Sequence, residues 1–184
     1  MSSKDSTKRT LLVAFSLCVV CSIVVSGTAV VLKPMQDANR ILDRNKNILS
    51  AAGLFDPKQD GDELVAERFS EFSAYVVDLN EQRVLDSEQL EELQIDIDSY
   101  DQRLVINDPK YSEALGRQED VANIKRRVIY PMIYVVAEGE EIETIVMPVS
   151  GYGLWGILYG FLALEGDANT VKGLAFYELK ETPG

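Results

Sequence analysis

From Thr10 to Leu32 (TLLVAFSLCVVCSIVVSGTAVVL) the apolar positions are almost continuous and no residue is charged. A helix needs about 20 such residues to cross a bilayer, so 10–32 predicts a transmembrane helix. Beyond Pro34 the pattern becomes periodic. Met35, Ala38, Ile41, Leu42, Ile48, Leu49 and Ala52 recur at helical spacing with a polar face opposite. That predicts a juxtamembrane helix over 33–53, packed on a domain by its apolar stripe, with Gly53 as its C-cap. From residue 54 to 184 the apolar runs are short and bounded by turn residues, as in a folded domain.

Within that domain, DPKQDG (Asp56–Gly61) reads as a loop. The stretch after it, Leu64–Leu79, reads as a short helix leading into a strand near Ala74–Leu79. Asp86 starts DSEQLEEL, with a capping side chain and carboxylates in the first turn, a helix start. Ile106–Ala122 is mostly polar and predicts a loop with at most one helical turn. Arg126–Val149 predicts a β-hairpin. Val128, Ile129, Tyr130, Ile133, Tyr134, Val135 and Val136 are β-formers, EGEE is the turn, and Pro131 marks an edge or bulge. WGILYGFLAL (Trp155–Leu164) and VKGLAFYEL (Val171–Leu179) predict two more strands around the turn EGDANT. In the first, Trp155, Ile157, Tyr159, Phe161 and Ala163 share one face, and Gly156, Leu158, Gly160, Leu162 and Leu164 the other. Both faces are apolar, which predicts a central strand covered on each side. Gly156 and Gly160 on one face leave room for a helix or a flat ligand. The fold class is α+β: a single N-terminal transmembrane helix, then an antiparallel sheet with flanking helices.

Charge adds orientation. Lys4, Lys8 and Arg9 against Asp5 precede the apolar run. Residues 1–9 are then cytoplasmic and everything beyond Lys33 lies across the membrane, in a bacterium the periplasm. Ser26–Ala29 (SGTA) offers a small-residue cleavage site, but the apolar run continues through Leu32, which favours a retained anchor. Ser22, Ser26, Gly27 and Ala29 suit packing against other membrane helices. The net charge of -12 sets the domain against nucleic acid. With no histidine, His-based metal sites and a Ser-His-Asp triad are excluded. Cys18 and Cys21 have CxxC spacing but lie inside the apolar run, where they read as packing residues. Glu91–Glu92 and Glu140–Glu141 are adjacent pairs whose side chains diverge, a solvated face and not an acid/base pair. Lys125–Arg127 is a basic cluster: a solvated strand start, or a neutraliser of a phosphate. Neither a catalytic nor a metal-ligating residue is expected.

SGYGLWG (Ser150–Gly156), then ETPG (Glu181–Gly184) beyond a hairpin holding VKGLAFYELK, carries a resemblance. Read alone, SGYG is a tight turn leading into a buried strand. The two motifs in this order, behind one span and an acidic domain, resemble the C subunit family of sodium-translocating NADH:quinone oxidoreductases. That is an FMN-binding family shared with the G subunit of the ion-pumping ferredoxin:NAD oxidoreductases. The resemblance implies an electron-carrying flavoprotein subunit of a membrane redox pump in the bacterial inner membrane, with the other subunits as partners. It implies that Gly151, Tyr152, Gly153, Leu154 and Trp155 flank the isoalloxazine together with Glu181, Thr182, Pro183 and Gly184. It also implies an FMN joined through its phosphate to a threonine in an S-G-A-T-type motif downstream of ETPG. That places the attachment residue beyond residue 184, and the chain then reads as a C-terminally truncated member. Thr182 belongs to ETPG, and SGTA at Ser26 lies in the span, so neither is the attachment site. No GxGxxG follows a strand, so NADH is not expected to bind this chain. Two alternatives remain open: a G-type subunit, and a cofactor-free, membrane-anchored periplasmic assembly domain.

Overall fold

The computed structural model describes residues 7–179. The stretches expected at 10–32 and 33–53 are one continuous helix, α1 (Thr7–Ala51), with Pro34 inside it. Proline removes one helical N–H and crowds the carbonyl a turn earlier, yet the hydrogen-bonded elements on both sides run on as one. The chain divides into two compact units, the first ending at Leu42 and the second starting at Asp43.

In the first unit the apolar side chains from Leu11 to Leu32 are exposed. The helix is long and apolar enough to cross a membrane. Two of its hydroxyls are satisfied internally: Ser16 donates to the Leu12 carbonyl and Thr28 to the Val24 carbonyl, both at 2.8 Å. A bilayer demands such internal pairing, because it supplies no water to a polar group.

The second unit begins with the end of α1. Gly53 has a left-handed φ of 74°. Its N–H reaches the Ser50 carbonyl at 3.1 Å, and the Leu54 N–H reaches the Leu49 carbonyl at 2.8 Å. This is the paired bonding of a glycine-closed helix end, as expected for Gly53. Then follow α2 (Glu63–Phe69), β1 (Ser73–Asp78), β2 (Arg83–Val84) and α3 (Ser87–Leu93). Asp86 caps α3 in a reciprocal box with Gln89. After β3 (Ser112–Ala114) and β4 (Arg126–Val128) come β5 (Met132–Glu138), β6 (Glu141–Tyr152), β7 (Ile157–Glu165) and β8 (Val171–Glu178). The main sheet has the order β2-β1-β5-β6-β7-β8, and all its pairings are antiparallel. β3 and β4 form a separate two-stranded ribbon.

The core lies on one sheet face. Ile48, Ala51 and Ala52 of α1 join Val76, Tyr134, Val146, Phe161 and Ala163 there. The Phe161 ring stacks on Tyr177 at 5.1 Å and meets Tyr134 edge-on at 6.2 Å. Gly173 lets α1 approach β8: a Cβ there would stand 2.2 Å from the Ala51 carbonyl oxygen.

Three sequence expectations need correction. The hairpin expected over Arg126–Val149 is split: β4 pairs with β3, and only β5 pairs with β6. Pro131 lies between them, its carbonyl accepting from the Val77 N–H at 3.0 Å, so the ring costs no ladder bond. The expected polar loop over 106–122 contains β3, whose partner is too distant in sequence to show in local periodicity. The room expected at Gly160 is absent, because a Cβ there would lie 2.7 Å from the Ala175 carbonyl oxygen of β8.

Candidate functional site

Gly151 and Tyr152 end β6, paired with Leu158 and Ile157 of β7. The chain turns through Gly153, Leu154, Trp155 and Gly156, closed by the Gly153 N–H donating to the Gly156 carbonyl at 2.7 Å. Trp155, expected on a strand face beside Ile157, instead lies in this turn. On its other side Tyr152 donates its N–H to the Ala122 carbonyl at 2.8 Å, which ties the turn to the segment before β4. The left-handed backbone that glycine permits is not used here: among the described glycines only Gly53 and Gly139 adopt positive φ. What Gly151 supplies is space, since a Cβ there would meet nothing within 4 Å.

The turn is apolar and exposed. Tyr152 is 53% exposed, Trp155 68% and Leu154 77%. Large apolar side chains clustered on a surface mark a binding face more often than an idle one. The reading of SGYG as a turn into a buried strand holds for the backbone, because β7 buries Gly160, Phe161, Ala163 and Leu164. It does not account for the exposed side chains. β8 runs back to the same end of the sheet, with Glu178 opposite Tyr159, and Leu179 beyond it is exposed. Gly151, Tyr152, Gly153, Leu154 and Trp155 are thus brought together, at the end where the chain leaves β8. Glu181, Thr182, Pro183 and Gly184 lie outside the described residues.

Beside this end lies a cavity of about 530 Å³. Its origin is in the register. The β5–β6 ladder ends at Tyr134↔Val146, so β6 continues past its neighbour and both its faces line the gap, through Ile145, Met147, Pro148 and Ser150. Arg103 forms one wall. Its guanidinium carbon stands 4.8 Å from the Tyr159 ring centre and 5.5 Å from that of Tyr177, and it pairs with the Glu178 carboxylate. Burial pushes the Tyr177 phenol up to about 12, so it stays a neutral hydroxyl at physiological pH. Sequence reading missed Arg103, Tyr159 and Tyr177 as site-lining residues. No local motif marks them, and their meeting depends on a contact across 75 positions.

The basic cluster at 125–127 is held by the ribbon. The Arg126 guanidinium donates to the Ile106 carbonyl at 3.0 Å, the Ser112 carbonyl at 3.0 Å and the Ser112 hydroxyl at 2.8 Å. Arg127 pairs with Glu113, its cross-strand neighbour, at 2.5 Å. Among the described residues no His, Cys, Asp and Glu group could hold a metal ion.

No family model matches the chain. The C subunit of the Na(+)-translocating NADH-quinone reductase of Pseudomonas aeruginosa is 46% identical to it over 184 residues, covering all of this chain and 68% of that protein. The chain belongs to the C subunit family of the Na(+)-translocating NADH-quinone reductases. The corresponding protein of Yersinia pestis is 39% identical over 183 residues, 99% of this chain and 66% of that one. The crystal structure of Shewanella oneidensis NqrC superposes with a TM-score of 0.61 at 28% identity, over 78% of this chain and 62% of that one. The α+β fold read from the sequence is therefore the fold of a solved NqrC. The chain spans about two thirds of the length of these relatives.

Proposed function

We propose that the chain is the flavin-carrying, electron-relaying subunit of a membrane-bound, Na+-pumping NADH:ubiquinone oxidoreductase. α1 anchors it in the inner membrane with residues 1–9 cytoplasmic, and the second unit stands in the periplasm among the other subunits. The hairpin tip Gly151–Trp155 forms a wall of the flavin site, and Glu181, Thr182, Pro183 and Gly184 are further flavin-contacting residues in this reading. The FMN phosphate is esterified to a threonine beyond residue 184.

The observation that carries this reading is the hairpin tip itself, with exposed Tyr152, Leu154 and Trp155 beside open space at Gly151. A flat apolar ring with a polar edge fits such a wall: side chains cover its face while nearby backbone supplies hydrogen bonds. FMN, when bound, supplies one- and two-electron redox chemistry. The chain's own part is to hold and orient the ring, limit water at its face and set the charge around it. The test is a denaturing gel of the complete protein, purified with its complex and viewed under ultraviolet light. A fluorescent band at this subunit is expected, and a dark band overturns the covalent-flavin reading.

A further inference from the structure

α1 is one helix from Thr7 to Ala51, yet its apolar stripe changes surroundings along the way. At 3.6 residues per turn, Pro34, Met35, Ala38, Ile41 and Leu42 fall within about 120° of the helix circumference. Lys33, Gln36, Asp37, Asn39 and Arg40 occupy the remainder. Further on, Ile48, Leu49 and Ala52 prolong the same stripe and are buried. The stretch before Leu42 is not. Met35 is 64% and Ile41 47% exposed, and Ala38 is exposed as well.

Lipid covers the start of this stretch but not its end. The uncharged run stops at Leu32, and Ile41 lies nine residues beyond it. At 1.5 Å per residue that is about 13 Å, and a tilt of about 20° shortens it by less than about 1 Å. The headgroup layer on one side of a bilayer is only about 5–8 Å deep. Ile41 therefore stands clear of the lipid. Residues 33–42 also include Pro34, Asp37 and Asn39, which are weak helix formers. A helix in water owes most of its stability to the packing of an apolar face, and here that face is bare.

We propose that the 34–42 face of α1 docks against a helix of another subunit of the reductase, rising from the membrane beside it. The relatives of this chain are named as subunits, so they have such neighbours. Ala38 defines the chemistry of the partner. It is small and flanked one turn away by Met35 and Leu42, leaving a hollow that a large apolar side chain of the facing helix fills. The proposal shares with the flavin reading only the membership of a complex. The fluorescent gel band reports on the flavin alone, so the two can fail separately.

The test is photocrosslinking in the assembled complex in its native membrane. The photoreactive residue p-benzoylphenylalanine replaces Met35 or Ile41 on the stripe, or Gln36 or Arg40 on the polar face. The stripe positions are expected to cross-link to a helix of another subunit, mapped by mass spectrometry, and the polar positions to give little product. Ala38→Trp fills the hollow and should lower the cross-link from position 41 roughly tenfold. Gln36→Trp should leave it unchanged. Both residues are exposed, so the melting transition of the chain should stay that of the parent in each variant, which separates lost docking from misfolding. Stripe positions that capture only lipid, a second copy of this chain or the chain itself overturn the proposal. Equal yields from the two faces do so too, as does a cross-link that Ala38→Trp leaves unchanged.

Discussion

Replacing Gly173 by alanine would put a methyl group 2.2 Å from the Ala51 carbonyl oxygen and 3.3 Å from its carbon. Both partners are backbone. Ala51 sits in a helix end fixed by the bonds of Gly53 and Leu54, and Gly173 pairs with Ala163 of β7. Neither can rotate aside as a side chain would, so the end of α1 must retreat by roughly 1 Å, uncovering core contacts around Ile48 and Ala52. Overpacking by a methylene or so costs about 1–3 kcal/mol, and two rigid walls place this case at about 3 kcal/mol. In a unit of this size each kcal/mol moves the melting temperature by roughly 3–4 °C, so Gly173→Ala should melt about 10 °C lower. The assay is near-ultraviolet circular dichroism during heating of the chain in detergent. Gly151→Ala is the matched control: with nothing within 4 Å it should stay within about 0.5 kcal/mol of the parent. A Gly173→Ala protein that melts with the parent would refute the close approach of α1 to β8.

Asp86→Ala removes the acceptor for the Gln89 N–H at 2.9 Å and should cost about 1 kcal/mol, read as a lower urea midpoint. Asp60 is held below the ordinary aspartate range, first by its hydrogen bond with Arg68 and then by the Asp56 N–H. A depressed folded value gives stability that is present above the unfolded value and lost as pH falls through the folded one. Urea midpoints should therefore fall with pH across the acid range, and Asp60→Asn should flatten part of that slope.

Much of the architecture was legible because it rests on local pattern. The apolar run, the 35–52 stripe, the Gly53 cap, the Asp86 helix start and the strands on either side of EGDANT each follow from residues within a turn or two of one another. The misses are long-range. The β3–β4 ribbon joins Ser112 to Val128 across a polar stretch with no alternation of its own. The cavity exists because β5 stops pairing at Tyr134↔Val146 while β6 runs on to Tyr152, and no periodicity reveals where a neighbour stops. Gly160 illustrates an ambiguity of sign. A glycine in a strand signals that something comes close, and here the approaching group is the β8 backbone rather than a ligand. At the candidate site Gly151 and Tyr152 end β6 and Gly153–Trp155 form the turn after it, and the glycines act by leaving Gly151 open and not by positive φ.

The most direct test of the flavin wall uses Trp155 in the complete, flavin-loaded protein within its complex. An indole in contact with an isoalloxazine quenches its emission by electron donation to the excited ring, and a phenyl ring does so far less. If the hairpin tip lines the flavin, Trp155→Phe should raise the emission and lengthen the excited-state lifetime of this subunit's flavin several-fold with its flavin content unchanged. Emission and lifetime identical to the parent would contradict the account.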